Sequence, residues 1–253
     1  MLYILEIVSP EVTRSNSLMS ENQVDVYYIH APDTRLPFEE TLEGIHSLYE
    51  AGAFKRFGIS NFSPDQTKEV LRICKERNFV PPTVYQGNYN AVARRAETDL
   101  FPILREHNIS FYAYSPIAGG FLAKTPEELE NAKGRWDPES WVGKIYRNLY
   151  VEKPATMAAL NKWHEVAKAE GVSAVELAYR WAAHNSILDG SKGDAVIIGS
   201  SSLEQLRGTM AAIRNGPLSA QAQGQIQAIW ESIEPDSFLD NFEGWVKDYG
   251  MPS

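Results

Sequence analysis

VDVYYIHAPD, residues 24–33, is the stretch on which the fold turns. Val24 to His30 is a nearly continuous run of β-branched and aromatic residues, too short for a buried helix, and it ends at a histidine and an aspartate. A strand that is apolar on both faces belongs in a parallel sheet covered by helices.

Working outward, the same pattern returns. Downstream, Phe38, Leu42, Ile45 and Tyr49 recur at helical spacing, and Gly52 follows as a C-terminal stop. Lys55 to Ser60 reads as a second strand, and Ser63-Pro64-Asp65-Gln66 is a capping-box start for a helix through Glu76. PTVYQ (82–86), a helix over Ala96 to His107, and SFYAYS (110–115) repeat the unit. An excursion rich in Gly, Pro and Trp runs from Pro116 to Pro154. Helices around Met157 to Glu170 and from the cap Ser173 to His184 precede AVIIGSS (195–201), a helix opening at Ser202, and a last helix over about Ser219 to Ser232. Upstream, Leu2 to Val8 reads as a strand, with Ser9 and Pro10 as helix cap and first helical residue. The tail keeps Phe238, Phe242 and Trp245.

Six strands alternating with helices imply an α/β fold of TIM type, because parallel strands joined by right-handed crossovers allow little else. A closed barrel of this kind has eight strands. The expectation is therefore a TIM-type (β/α) barrel of about six βα units, in which either the sheet is incomplete or a strand is borrowed.

Composition narrows the classes. The chain has 253 residues and 43% hydrophobic composition, enough to bury one core over residues 1–253 as a single domain. Its formal net charge of −9 is spread along the chain, with no basic run of the kind that meets nucleic acid or lipid. MLYILEIVSP has no basic n-region, and no apolar run approaches the ~20 residues of a membrane span. The single cysteine, Cys74, forbids an intrachain disulfide, so a cytoplasmic protein is expected.

The reactive face of such a barrel lies where strands end. His30 with Asp33, Ser60 with Asn61, Gln86 with Asn88, Tyr114 with Ser115, and Gly199 with Ser200 and Ser201 all fall there. Singly, each has an ordinary structural explanation: a hydrogen-bonded histidine, turn formers, a helix cap. Five such groups on one rim favour function for the set. In GSSSLEQL (199–206) a Gly-Ser turn opens onto a helix, an arrangement that can hold a phosphate. Ser201 with Glu204 also makes a capping box. The chain has no GxGxxG, Walker loop, HExxH, CxxC or GxSxG, and His30 and Asp33 lack a third ligand at metal spacing, so no metal is expected.

VDVYYIHAPD, FGISNFSPDQ (57–66), VYQGNYNAVARRAETDLFP (84–102), FYAYSPIAGGFL (111–122), YRNLY (146–150) and GDAVIIGSSSLEQL (193–206) together resemble, in order, consecutive blocks of the aldo-keto reductases. The aflatoxin aldehyde reductase branch is the most similar. The resemblance implies a (β/α)8 barrel that binds NADP(H) across the strand ends and reduces a small carbonyl compound. By position, His30 matches a member of the catalytic tetrad that orients substrate. Ser60, Asn61 and Gln86 match residues that bond the nicotinamide carboxamide, and Tyr114, followed by Ser115, the aromatic that stacks on the ring. Gly199, Ser200, Ser201 and Gln205 match the segment that holds the 2′-phosphate, and the excursion 116–154 would lie over the pocket, which suits an aromatic or apolar substrate.

Two departures matter. Thr209 stands where the family has an adenine-contacting Asn, and residues 1–22 diverge, leaving the family's catalytic Asp and Tyr without counterparts; the resemblance thus implies a barrel lacking its first strands, completed by a partner chain or a rearranged N-terminus. If Leu2–Val8 replaces the third strand, Glu6 lies near the place of the family's Lys. His30 is then the one tetrad residue matched, and general acid catalysis typically contributes about 10² to 10⁴ in rate. Three readings follow: an NADP(H)-dependent oxidoreductase in which His30 takes over proton transfer; a non-redox isomerase, lyase or cyclase using His30 with Asp33 as acid and base; and a non-catalytic binding subunit whose open barrel edge is covered by a homo-oligomer or another partner.

Overall fold

The computed structural model describes residues 23–239. The expected strand Leu2–Val8, the helix start at Ser9 and Pro10, Glu6, Phe242 and Trp245 lie outside the described residues. Five strands form one parallel sheet in chain order: β1 (Val24–Ile29), β2 (Phe54–Ser60), β3 (Val84–Asn88), β4 (Ser110–Tyr114) and β5 (Ala195–Val196). These are five of the six expected. Each pairs with its sequence neighbour, as in an arc of a barrel, and among the described residues β1 and β5 have no further strand partner.

The helices that return the chain are α1 (Phe38–Glu50), α2 (Pro64–Arg77), α3 (Ala96–Asp99), α4 (Phe101–Glu106), α5 (Pro126–Glu130), α6 (Trp141–Tyr146), α7 (Pro154–Glu170), α8 (Ala174–Arg180), α9 (Leu203–Arg214) and α10 (Ala220–Ile233). The α2 capping box forms as expected: the Gln66 N–H donates to Ser63 Oγ, and Gln66 Oε1 accepts from the Ser63 N–H. The expected single helix Ala96–His107 is instead two, broken at Leu100. Pro102, lacking an amide hydrogen, sits in the first turn of α4, the one place in a helix where the missing donor costs little.

Alternation along the strands sends Phe57, Ile59, Tyr85, Phe111 and Val196 into the main core beneath the helices. On the other face Val26, Val84, Tyr112 and Ala195 pack together, with Tyr28 and Ile197 against them. Both faces of the sheet are therefore apolar, as a covered parallel sheet requires. Glycines make room for rings at two points. A Cβ on Gly87 would come within 2.6 Å of Phe111, and one on Gly58 within 2.4 Å of Tyr28.

The excursion 116–154 is not a bare loop. It contains α5, α6 and a π turn over Arg147–Val151. Phe121, Trp136 and Tyr150 are buried in it and touch one another, and Tyr150 meets Phe238 edge-on. Trp136 thus packs the segment onto the barrel, whereas Trp141 stays exposed. Among the described residues no helix is long and apolar enough to cross a membrane.

Candidate functional site

The C-terminal ends of β1, β2, β3 and β4 bring most of the expected residues together. Register places Ser60 beside Gln86, and both are buried. Immediately after β2, Asn61 takes a left-handed backbone, φ 59°, which Asn tolerates better than most residues. That turn aims its side chain back along the rim. Asn61 Nδ2 donates to the His30 carbonyl at 2.8 Å and lies 3.1 Å from Ser60 Oγ, while Asn61 Oδ1 accepts from the Tyr114 hydroxyl at 2.8 Å. One amide therefore couples the ends of β1, β2 and β4.

Tyr114 is half-buried, its ring held by that bond at the edge of the rim. Ser115 follows with φ 56°, and its carbonyl accepts from Asn90 Nδ2 at 3.1 Å. His30 itself is exposed at the end of β1.

Asp33 does not join this group. Arg35 grips its carboxylate with two side-chain hydrogen bonds, of 2.9 and 2.8 Å, and one from its backbone N–H. Those hydrogen bonds lower the carboxyl pKa to about 2. Asp33 also lines a shallow crevice with Ile29, Phe38, Leu42 and Phe62. A carboxylate committed to a neighbouring guanidinium is a poor proton shuttle.

The last segment departs from expectation in detail. The strand expected over 195–201 is regular only at Ala195 and Val196, although the Ile197 N–H still bonds Ala113 O at 2.8 Å. Gly199, Ser200 and Ser201 are exposed ahead of α9. The cap is Ser202, whose Oγ accepts from the Gln205 N–H at 3.1 Å, and not Ser201 with Glu204. Gln205 instead turns its Oε1 to the Ser201 N–H and hydroxyl, at 2.8 and 3.0 Å, closing the turn around the helix start. Thr209, one turn further on, is buried.

Asn88 was expected on the rim, whereas the hydroxyls of Tyr150 and Tyr28 were not singled out by the sequence. Both amide atoms of Asn88 and the Tyr150 hydroxyl are buried without hydrogen-bond partners among the described residues. Burial raises the Tyr150 pKa, and the Asn90 and Asn88 side chains pull against that rise. The Tyr28 hydroxyl is likewise buried and unpartnered on the inner face, two residues before His30. The two-residue period from His30, with Gly58 paired opposite, is the sequence signal for Tyr28.

A parallel α/β sheet with a polar rim at the strand ends and a helix N-terminus beside it defines a barrel-type enzyme scaffold. Residues 6–231 match the Aldo/keto reductase family, and the chain belongs to it. It is 38% identical to the oxidoreductase sirO of Leptosphaeria maculans over 88% of this chain and 68% of that protein. It is 40% identical to the aflatoxin B1 aldehyde reductase member 2 of Homo sapiens, over 83% of this chain and 60% of that protein. Aldo-keto reductase family 7 member A3 of Homo sapiens is 39% identical, with 66% of its length covered.

Proposed function

We propose that this chain is an NADP(H)-dependent oxidoreductase of small carbonyl compounds, with His30 as the group that faces the reacting carbonyl. The observation that carries the reading is the Asn61 amide, which joins the His30 and Tyr114 strand ends beside buried Ser60 and Gln86. These are the residue types a carboxamide requires, namely a hydroxyl and two amides, at the end of a pocket wall. Bound there, the cofactor would supply the hydride.

The chain's own residues do the rest. Ser60, Asn61 and Gln86 hold the carboxamide, and the Tyr114 ring lies against the nicotinamide. The exposed Ser200 and Ser201 hydroxyls, with the first-turn N–H groups of α9 and the helix dipole, receive the 2′-phosphate. Buried Thr209 leaves adenine recognition to other groups. His30 orients the carbonyl and passes it a proton. Aromatic or apolar aldehydes fit the excursion that carries Trp136, Tyr146 and exposed Trp141. The outer edges of β1 and β5 are where additional strands, from this chain or a second copy, would complete the barrel wall.

The test is carbonyl-dependent oxidation of NADPH with an aromatic aldehyde. The proposal expects turnover that falls about 10²-fold or more in His30→Ala. Turnover equal in the variant would remove His30 from the chemistry, and no turnover with any carbonyl would remove the reductase reading.

A further inference from the structure

Tyr28 lies on the inner face of β1 and pairs in register with Gly58, while one layer nearer the rim Ser60 pairs with Gln86. Its ring rests directly on Gly58: a Cβ there would stand 2.4 Å from Cε1 and 2.5 Å from Cδ1. Adjacent strands are about 4.8 Å apart, so a tyrosine that starts on β1 and crosses β2 over a glycine delivers its hydroxyl to the border with β3. By register that border lies at Val84, two residues before Gln86 on the same face.

The charged and titratable groups around the hydroxyl are Tyr112, Arg56 and Asp25, and they are committed to one another. Arg56 donates to the Tyr112 hydroxyl at 3.2 Å and is paired with Asp25. The Tyr28 hydroxyl is left buried without a hydrogen-bond partner among the described residues. Burial raises its pKa, and the Gln86 side chain is the strongest influence in the other direction. With Tyr112, Arg56 and Asp25 taken, Gln86 is the polar side chain whose amide hydrogen the Tyr28 oxygen can accept. A buried hydroxyl with no bond is costly and calls for a reason.

We propose that Tyr28 is a positioning residue for Gln86, its hydroxyl fixing which end of the Gln86 amide is turned toward the carboxamide of a bound nicotinamide. The inference rests on the assignment of Gln86 made above. A glutamine amide has an acceptor end and a donor end of nearly equal shape. With Gln86 Nε2 donating to the phenol oxygen, Oε1 is presented to the rim as an acceptor for the carboxamide NH2. Without it, either end faces outward and half the orientations are wrong for the ligand.

The experiment is a binding cycle on the full chain. Wild type, Tyr28→Phe, Gln86→Ala and the double variant are titrated with NADPH by tryptophan fluorescence, and separately with adenosine 2′,5′-bisphosphate, which lacks the nicotinamide. Thermal unfolding is recorded for each. Tyr28→Phe is expected to weaken NADPH about fivefold, the effect of one neutral hydrogen bond. It should leave the bisphosphate affinity unchanged and Tm close to that of the wild type. In the Gln86→Ala background it should add nothing. Gly58→Ala, which displaces the ring, should reproduce the NADPH loss.

Wild-type NADPH affinity in Tyr28→Phe, an equal loss for the bisphosphate, or an undiminished effect in the Gln86→Ala background would each overturn the positioning role while leaving the cofactor site standing. Failure of the wild type to bind NADPH would overturn the site assignment and this inference together.

Discussion

The Tyr114 hydroxyl donates to Asn61 Oδ1 over 2.8 Å, and the same amide donates through Nδ2 to the carbonyl of His30. A residue at the end of β4 and one at the end of β1 are thus held in fixed relation by a side chain that sits between them. The arrangement depends on a left-handed backbone at Asn61, so geometry and hydrogen bonding cannot be separated by substitution to a β-region residue.

Asn61→Ala removes both bonds and places a residue that disfavours it in the left-handed region. The expected cost is about 2 to 4 kcal/mol of stability, with loss of NADPH binding. Asn61→Gly relieves the backbone alone, so it should recover part of the stability and none of the binding. Urea unfolding and cofactor titration check the two separately.

Asp194 is the buried charge on which the β4–β5 junction depends. Its side chain has no exposed surface, and it accepts from Arg105 at 3.0 Å, the Phe111 N–H at 2.8 Å and the Asp189 N–H at 2.9 Å. Asp194→Ala leaves the Arg105 guanidinium and two backbone donors unmatched and is expected to cost about 3 to 5 kcal/mol by urea unfolding. Arg72→Ala, which breaks an exposed network with Glu69 and Glu76, should be barely measurable.

Cys74 gives a pH dependence with a defined sign. Burial raises its thiol pKa from 9.0 to about 11, so the folded state holds the proton more tightly than the unfolded state does. The stabilisation is complete below pH 9 and is lost as pH rises through about 11. Stability should therefore fall less steeply across that interval in Cys74→Ala. In the native wild type, alkylation by iodoacetamide near neutral pH should be slow, and urea should release it.

Tyr150 separates packing from polarity. Its ring stacks on Phe121 and meets Phe238, and its hydroxyl is buried without a partner among the described residues. Tyr150→Phe should leave Tm unchanged or raise it, whereas Tyr150→Ala should cost about 3 to 5 kcal/mol and loosen the excursion over the rim. A marked fall in Tm for Tyr150→Phe would show that Asn88 or Asn90 bonds the hydroxyl in solution.

The alternation of strands and helices was legible because each element is set by local periodicity and by caps such as Ser63 with Gln66. The break at Leu100 was missed, although Pro102 is its sequence signal. In the serine run 200–202, Ser201 with Glu204 and Ser202 with Gln205 read alike, and only the turn after β5 selects Ser202. Trp136 and Trp141 are indistinguishable as letters, and tertiary packing buries one and exposes the other. The Tyr28 ring over Gly58 needed strand register, which no single strand contains. Asp33 looked paired with His30 by proximity in sequence, but Arg35 stands closer still.

The most direct measurement is titration of the purified full chain with NADPH, followed by quenching of its tryptophan fluorescence, with NADH in parallel. The rim residues Ser60, Asn61, Gln86 and Tyr114, together with the turn at Ser200–Ser202, predict saturable micromolar binding of NADPH and much weaker binding of NADH. Absence of binding up to millimolar NADPH would contradict the assignment of this rim to a nicotinamide cofactor.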